Sequence, residues 1–128
     1  MLKKYQLKGW YKTEKEFQRD YLKALRDDWY LTYRRQDVWL SYKFLDSECW
    51  DKQWNCTQIE FKKIPGDTFN VWKFEHSQVL ILKDLDDRKL WIAYVIIWSI
   101  KRNDYKILTF TEIWGWKNKV GGYKVFKD

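Results

Sequence analysis

Residues 90–100 read LWIAYVIIWSI, an apolar run interrupted only by Ser99. With eleven residues it is too short to span a membrane as a helix, which takes about 18 or more apolar residues. Alternate side chains of a strand point to opposite faces, which puts Tyr94 and Ile96 on one face and Val95 on the other. A strand that is apolar on both faces belongs inside a sheet with both sides covered. We therefore predict a buried strand here, with a helix on one face of its sheet and a further layer on the other.

A helix is predicted ahead of this strand, over about residues 14–27. Thr13 and Glu16 have the spacing of a capping box, in which the threonine side chain accepts a hydrogen bond from the glutamate backbone. Apolar residues then recur at helical spacing, at Phe17, Tyr21, Leu22 and Leu25. Such a stripe indicates a helix that packs one side against a sheet.

Most of the remaining chain alternates apolar and polar residues, which is the pattern of β-strands. Two such runs, 29–33 and 38–44, flank the polar residues 34–37 and predict a β-hairpin. Further strands are predicted over 57–63, 68–74, 78–82, 90–100 and 105–114, with a short edge strand over 121–126. Residues 46–55 are predicted to form a loop and the charged residues 84–89 a turn.

These elements predict the α+β class. We expect one N-terminal helix (about 14–27) packed on a twisted, mostly antiparallel sheet or half-barrel of 6–8 strands. No repeat or linker composition interrupts the 128 residues, and we therefore expect a single compact domain over residues 1–128.

The chain is basic and rich in aromatic residues. It has 25 Lys and Arg against 18 Asp and Glu, a formal net charge of +7, and 20% of its residues are aromatic, which excludes a disordered polycation. Residues 1–44 hold 11 basic and 6 acidic side chains, residues 45–88 hold 6 and 9, and residues 89–128 hold 8 and 3. Basic ends of this kind attract polyanions, although lysines that only solubilise a sheet would give the same composition.

The N-terminal sequence MLKKYQLKGWYK has no apolar run after its lysines, so we expect no secretory signal and a cytoplasmic protein. A bias toward Lys, Ile, Phe, Tyr and Asn suggests an AT-rich bacterium, its phage or a mobile element. In the cytoplasm Cys49 and Cys56 are expected as free thiols, and a disulfide under oxidation is left open. Together with His76 they fall short of the four ligands of a structural zinc site, so no metal and no cofactor is expected.

Several tryptophans and tyrosines stand beside Lys or Arg. Nucleobases stack on aromatic rings while cations neutralise phosphates, and this pattern therefore favours nucleic-acid binding. The predicted binding residues are Trp10, Lys12, Arg34, Arg35, Trp39, Lys101, Arg102, Trp114, Trp116 and Lys117. Three interpretations remain open for Trp50, Trp54, Trp114 and Trp116: lids over a small core, anchors of a protein interface, or stacking platforms for bases.

One group of charged residues resembles a nuclease motif. Glu60-Phe61-Lys62 lies on a predicted strand, with Asp46 and Asp51 upstream and Glu16 on the preceding helix. This order resembles the helix Glu, strand Asp and strand Glu-x-Lys of restriction-endonuclease-like nucleases. The resemblance implies that carboxylates hold Mg²⁺ and that Lys62 supports the attacking water. This chain departs from the nuclease pattern in two respects. Both aspartates fall in a predicted loop, and no helix is predicted after Glu-x-Lys.

From these observations we expect a protein without catalytic activity. It would bind nucleic acid, or a host protein that handles nucleic acid, through the predicted binding residues, with no membrane or small-molecule cofactor. One alternative is a phage- or mobile-element-encoded inhibitor, of the anti-CRISPR kind, that acts by binding a host nuclease. The other alternative is a Mg²⁺-dependent nuclease that uses Glu60, Lys62 and Asp51.

Overall fold

The computed structural model describes residues 2–34, 47–70, 79–80, 83–84, 87, 92–114 and 122–127. Two helices and seven strands are defined there: α1 (Glu14–Asp27), β1 (Leu31–Arg34), β2 (Ser47–Trp50), β3 (Cys56–Ile64), β4 (Thr68–Phe69), β5 (Ile92–Ser99), β6 (Asp104–Thr109), α2 (Phe110–Trp114) and β7 (Tyr123–Lys124). Five strands form a sheet in the order β1-β2-β3-β5-β6, and β4 pairs with β7 in a small second sheet. The predicted α+β class is confirmed.

The helix α1 has the predicted bounds. The Thr13 side chain accepts a hydrogen bond from the backbone of Glu16, and the apolar stripe, Phe17, Tyr21, Leu22 and Leu25, is buried. These side chains pack in one core with residues of β2, β3, β5 and β6.

The large sheet is open and mixed. The strands β3 and β5 pair in parallel, while β1–β2, β2–β3 and β5–β6 pair antiparallel. Adjacent parallel strands need a crossover connection, which is usually helical. The described residues of this connection, 79–80, 83–84 and 87, are helical. The predicted strand over 78–82 and the predicted turn over 84–89 are therefore wrong at these residues. Helical structure does follow Glu-x-Lys in the chain, although no helix is predicted there from the sequence.

The sheet carries a core on each face, as the apolar run at 90–100 predicts. On one face Ile59 and Ile96 pack with Phe17 of α1. On the other face Val95 packs with Phe110 of α2 and with residues of the small sheet. The two faces are called the helix face and the α2 face below. Because side chains alternate along β3, Glu60 and Lys62 lie on the α2 face.

Two further predicted elements differ from the structure. Residues 47–50 lie in the predicted loop but form β2, which pairs with both β1 and β3. The predicted strand over 105–114 ends at Thr109 and continues as α2. The predicted hairpin strand over 38–44 and most of the predicted strand over 68–74 lie outside the described residues. Within the described part of the chain, no helix is long and apolar enough to cross a membrane.

Candidate active site and nucleic-acid surface

Glu60 and Lys62 lie near the middle of β3, which has neighbouring strands on both sides. The Glu60 side chain is only 1% exposed, and Lys62 Nζ lies 3.5 Å from Glu60 Oε1. A carboxylate and an ammonium group held this far from water cost desolvation free energy. Charged groups buried at such a cost are concentrated at functional sites, and this pair is therefore the first element of the candidate site.

Glu48 is a second carboxylate on the same face. It pairs with Gln58 across the β2–β3 ladder, and directly paired residues point to the same side of a sheet. The buried Gln58 amide donates hydrogen bonds to Glu48 Oε2 at 2.8 Å and to Cys56 Sγ at 3.4 Å. Glu48 is therefore held diagonally beside Glu60. Sequence reasoning missed it because it assigned residues 46–55 to a loop.

Glu60 and Glu48 are two carboxylates that could hold a divalent metal ion. Mg²⁺ is usually bound by one or two carboxylates, with water and substrate phosphates as the other ligands. Glu48 and Glu60 supply two carboxylates on one face of the sheet. The described residues contain no group of three or more His, Cys, Asp or Glu that could hold a metal ion. Asp46, which immediately precedes β2 in the sequence, lies outside the described residues.

Asp51 has a different environment from Glu60. Its Oδ1 accepts hydrogen bonds from the backbones of Gln53 and Asn55, at 2.9 and 3.0 Å, and its Oδ2 accepts one from the Asn55 side chain. These bonds, chiefly those from Asn55, hold the pKa of Asp51 below its ordinary value. Asn55 and Glu60 are five residues apart on an extended segment, about 16 Å. Asp51 thus organises the β2–β3 turn, and the structure does not bring it to Glu60.

Glu16 also lies away from the candidate site. Its carboxylate accepts a hydrogen bond from the backbone of Lys12 at 3.4 Å, which completes the cap of α1. The helix covers the helix face of the sheet, opposite to the face that carries Glu60 and Lys62. The structure therefore brings together Glu60 and Lys62 from the nuclease-like motif, but neither Glu16 nor Asp51.

Three of the predicted binding residues lie in one region. The Trp10 backbone donates a hydrogen bond to Asn103 in the β5–β6 turn, and this turn also carries Lys101. Lys63 Nζ donates to the carbonyl of Lys12 at 3.5 Å. The side chains of Trp10, Lys12 and Lys101 are exposed, and they form a basic surface with one projecting aromatic ring.

Two others are engaged inside the fold. The Arg102 guanidinium makes a two-point contact with Asp67, at 2.7 and 2.9 Å, which lowers the pKa of that carboxyl group. Trp114 is half-buried and stacks on Phe110 with ring centroids 5.4 Å apart. Arg34 is the last residue of β1. Arg35, Trp39, Trp116 and Lys117 lie outside the described residues, as does His76.

The two cysteines are free thiols. Cys49 is buried, and burial raises the pKa of its thiol to about 12.

No protein-family model matches this chain. No curated protein matches it either. Among solved structures, the chain is similar to Hjc, a Holliday junction resolvase from the archaeal hyperthermophile Archaeoglobus fulgidus. The match has a TM-score of 0.64 at 16% sequence identity and covers 88% of each chain. The chain therefore shares the fold of an enzyme over most of its length, and this match contradicts the prediction of a protein without catalytic activity.

Proposed function

We propose that the protein is a Mg²⁺-dependent endonuclease that acts on branched DNA. The observation that carries the proposal is the contact between Lys62 and the buried Glu60 at the centre of the sheet. The fold shared with Hjc supports a junction as the substrate. Two carboxylates on one sheet face, with a lysine beside one of them, are the groups that metal-assisted hydrolysis of a phosphodiester needs.

Each residue of the site has a definite role in this proposal. Glu60 and Glu48 would hold the metal from adjacent strands, and Asp46, the residue before β2 in the sequence, is a further candidate ligand. Bound Mg²⁺ would neutralise charge on the phosphate that is cut. Lys62 holds the attacking water and stabilises the negative charge that develops on the phosphate. Gln58 keeps the Glu48 carboxylate in position through its 2.8 Å hydrogen bond.

The basic surface formed by Trp10, Lys12 and Lys101 supplies DNA affinity. Lysines there neutralise phosphates without reading sequence, and this part of the affinity falls steeply with salt. The exposed ring of Trp10 offers a contact to a base or a sugar. This role is compatible with the cytoplasmic location that the N-terminal sequence predicts.

The test is cleavage of a synthetic four-way DNA junction and of a linear duplex with the same sequences. The wild type should cut the junction only when Mg²⁺ is added, and faster than it cuts the duplex. Glu60→Gln should lower the single-turnover rate at least about a hundredfold while the protein stays folded, because the amide is a poor metal ligand. Glu112→Gln, on the exposed side of α2, is the matched control and should cut at the wild-type rate. Equal cleavage by Glu60→Gln and Glu112→Gln would refute the proposal.

A further inference from the structure

The exposed tryptophans share an unusual backbone conformation. Among the described residues, four that are not glycine have a positive φ, and three of them are Trp10 (55°), Trp29 (69°) and Trp54 (66°). All three side chains are 76–78% exposed. A bulky residue in the left-handed region is strained, and an exposed ring recovers little of that cost by packing.

Trp29 occupies a position that usually belongs to glycine. The backbone of Trp29 donates to the carbonyl of Arg26 at 3.1 Å, and the backbone of Tyr30 donates to that of Leu25 at 3.0 Å. These two bonds form the Schellman motif that ends α1, and its left-handed residue is most often glycine. The end of the helix needs the positive φ but not the indole ring. Folding alone therefore does not account for a tryptophan here.

Trp54 stands in a similar situation on the β2–β3 turn. Its backbone donates to the carbonyl of Asp51 at 3.1 Å, and the same aspartate fixes the turn through its side chain. The turn is thus held together by Asp51 and by the positive φ at residue 54. The ring of Trp54 points into solvent and is not needed for this geometry.

Trp29 and the β2–β3 turn lie side by side. Lys52 Nζ is 5.9 Å from the centre of the Trp29 ring, and a cleft of about 250 Å³ separates the turn from the end of α1. Trp29 and Tyr30 are its aromatic residues, and the rest of its lining is polar: Lys3, Asp28, Asp51, Lys52 and Gln53. We call this the turn cleft.

The polar groups of the turn cleft are fixed in place before any ligand arrives. Asp28 accepts a hydrogen bond from the Tyr5 hydroxyl at 2.7 Å and pairs with Lys3 at 3.5 Å. The bond from Tyr5 is the main reason that the pKa of Asp28 is lowered, so this carboxylate is ionised at neutral pH. The cleft therefore offers an aromatic surface next to ordered hydrogen-bond donors and acceptors.

We propose that the turn cleft binds an unpaired nucleotide of the DNA substrate, with the base stacked on Trp29. An unpaired base has an apolar face and polar edges, and it matches an aromatic wall with a polar lining. Lys3 and Lys52 are exposed residues of the cleft, and their ammonium groups would contact the adjoining phosphates. Trp54, two residues from Lys52 on the turn, offers a second ring to a neighbouring base. The buried core of a protein–protein interface is depleted of charged residues, whereas most of the residues that line this cleft are charged.

This inference rests on the proposed function, which supplies the DNA substrate. The turn cleft itself does not include Glu60 or Lys62. It explains how the enzyme could favour DNA with unpaired bases, because cations alone attract every duplex equally.

Binding is measured in EDTA, where no cleavage occurs, with a labelled oligothymidylate and with a linear duplex. Trp29→Leu keeps an apolar side chain at the position but removes the stacking surface, whereas Trp29→Phe keeps a flat ring. We expect Trp29→Leu to bind the oligothymidylate at least fivefold more weakly than the wild type, Trp29→Phe to bind it nearly as well, and all three to bind the duplex equally. Thermal unfolding and the mass in solution are recorded for each variant.

Three outcomes would overturn the proposal. The first is oligothymidylate binding by Trp29→Leu that equals the wild type. The second is an equal loss of oligothymidylate and duplex binding, and the third is a change of oligomeric mass without any change in binding. Failure of the nuclease proposal is seen separately, as undiminished cleavage by Glu60→Gln, and it leaves the binding comparison intact.

Discussion

Lys62 lies two residues after Glu60 on the same face of β3, with its ammonium nitrogen 3.5 Å from a carboxylate oxygen of Glu60. In the proposed mechanism this cation holds the water that attacks phosphorus. We predict that Lys62→Met lowers the single-turnover rate of junction cleavage at least about a hundredfold, because the water is no longer held and the charge that develops on the phosphate is no longer stabilised. Affinity for the junction, measured in EDTA, should change little.

The matched control for this substitution is Lys23→Met, since Lys23 lies on the exposed side of α1 and pairs with Asp27 one helical turn later. It should cut at the wild-type rate. A folded Lys62→Met protein with full activity would show that the lysine serves the structure alone.

Asp46 and Asp51 should differ in what they contribute. Asp51 fixes the β2–β3 turn with its carboxylate, whereas Asp46 directly precedes the strand that carries Glu48. We predict that Asp46→Ala abolishes Mg²⁺-dependent cleavage and retains near-wild-type stability. Asp51→Ala should lower the midpoint of urea unfolding, and the folded protein should retain Mg²⁺-dependent cleavage, because Asp51 does not lie beside Glu60. Loss of cleavage in Asp51→Ala together with full cleavage in Asp46→Ala would instead place a metal ligand in the turn.

Local patterns in the sequence predict a large part of this fold. The helix α1 is signalled by its capping box and apolar stripe, and β5 by a run that is apolar on both faces. The strand β2 is missed because its buried positions are Ser47 and Cys49, which do not stand out as apolar. The helix α2 is missed because five residues are too few to show a helical period.

The candidate site is predicted only in part for a related reason. Glu60 and Lys62 are two residues apart, so their common face follows from the strand period alone. Glu48 reaches that face through the pairing of β2 with β3, which depends on the register set by the Asp51 turn. Register between strands is a tertiary property that composition does not encode. The expectation of a protein without catalytic activity gave more weight to surface composition than to the Glu-x-Lys pair. The fold shared with Hjc contradicts that expectation.

Trp29 should be replaceable by glycine with a gain in stability. Trp29 has a left-handed backbone conformation at the end of α1, which costs about 1–2 kcal/mol for a residue with a side chain. Glycine avoids this cost, but it loses more backbone entropy on folding. We expect Trp29→Gly to raise the free energy of unfolding by about 0.5–1 kcal/mol, measured by urea denaturation. The same variant should bind oligothymidylate poorly. A loss of stability above about 1 kcal/mol would mean that the exposed ring packs in solution.

Alkaline pH should weaken the packing of the N-terminal segment against the sheet. Burial raises the pKa of Tyr105 to about 12, and its hydroxyl donates to the carbonyl of Tyr5 at 2.6 Å. Because the folded-state pKa is above the unfolded value near 10, the contribution of Tyr105 to stability is complete below pH 10. It is then lost as the pH rises from about 10 through 12. We predict that the free energy of unfolding falls over this interval more steeply for the wild type than for Tyr105→Phe, which has no phenol to titrate. Equal slopes for the two proteins would show that Tyr105 ionises as readily in the folded chain as in the unfolded one.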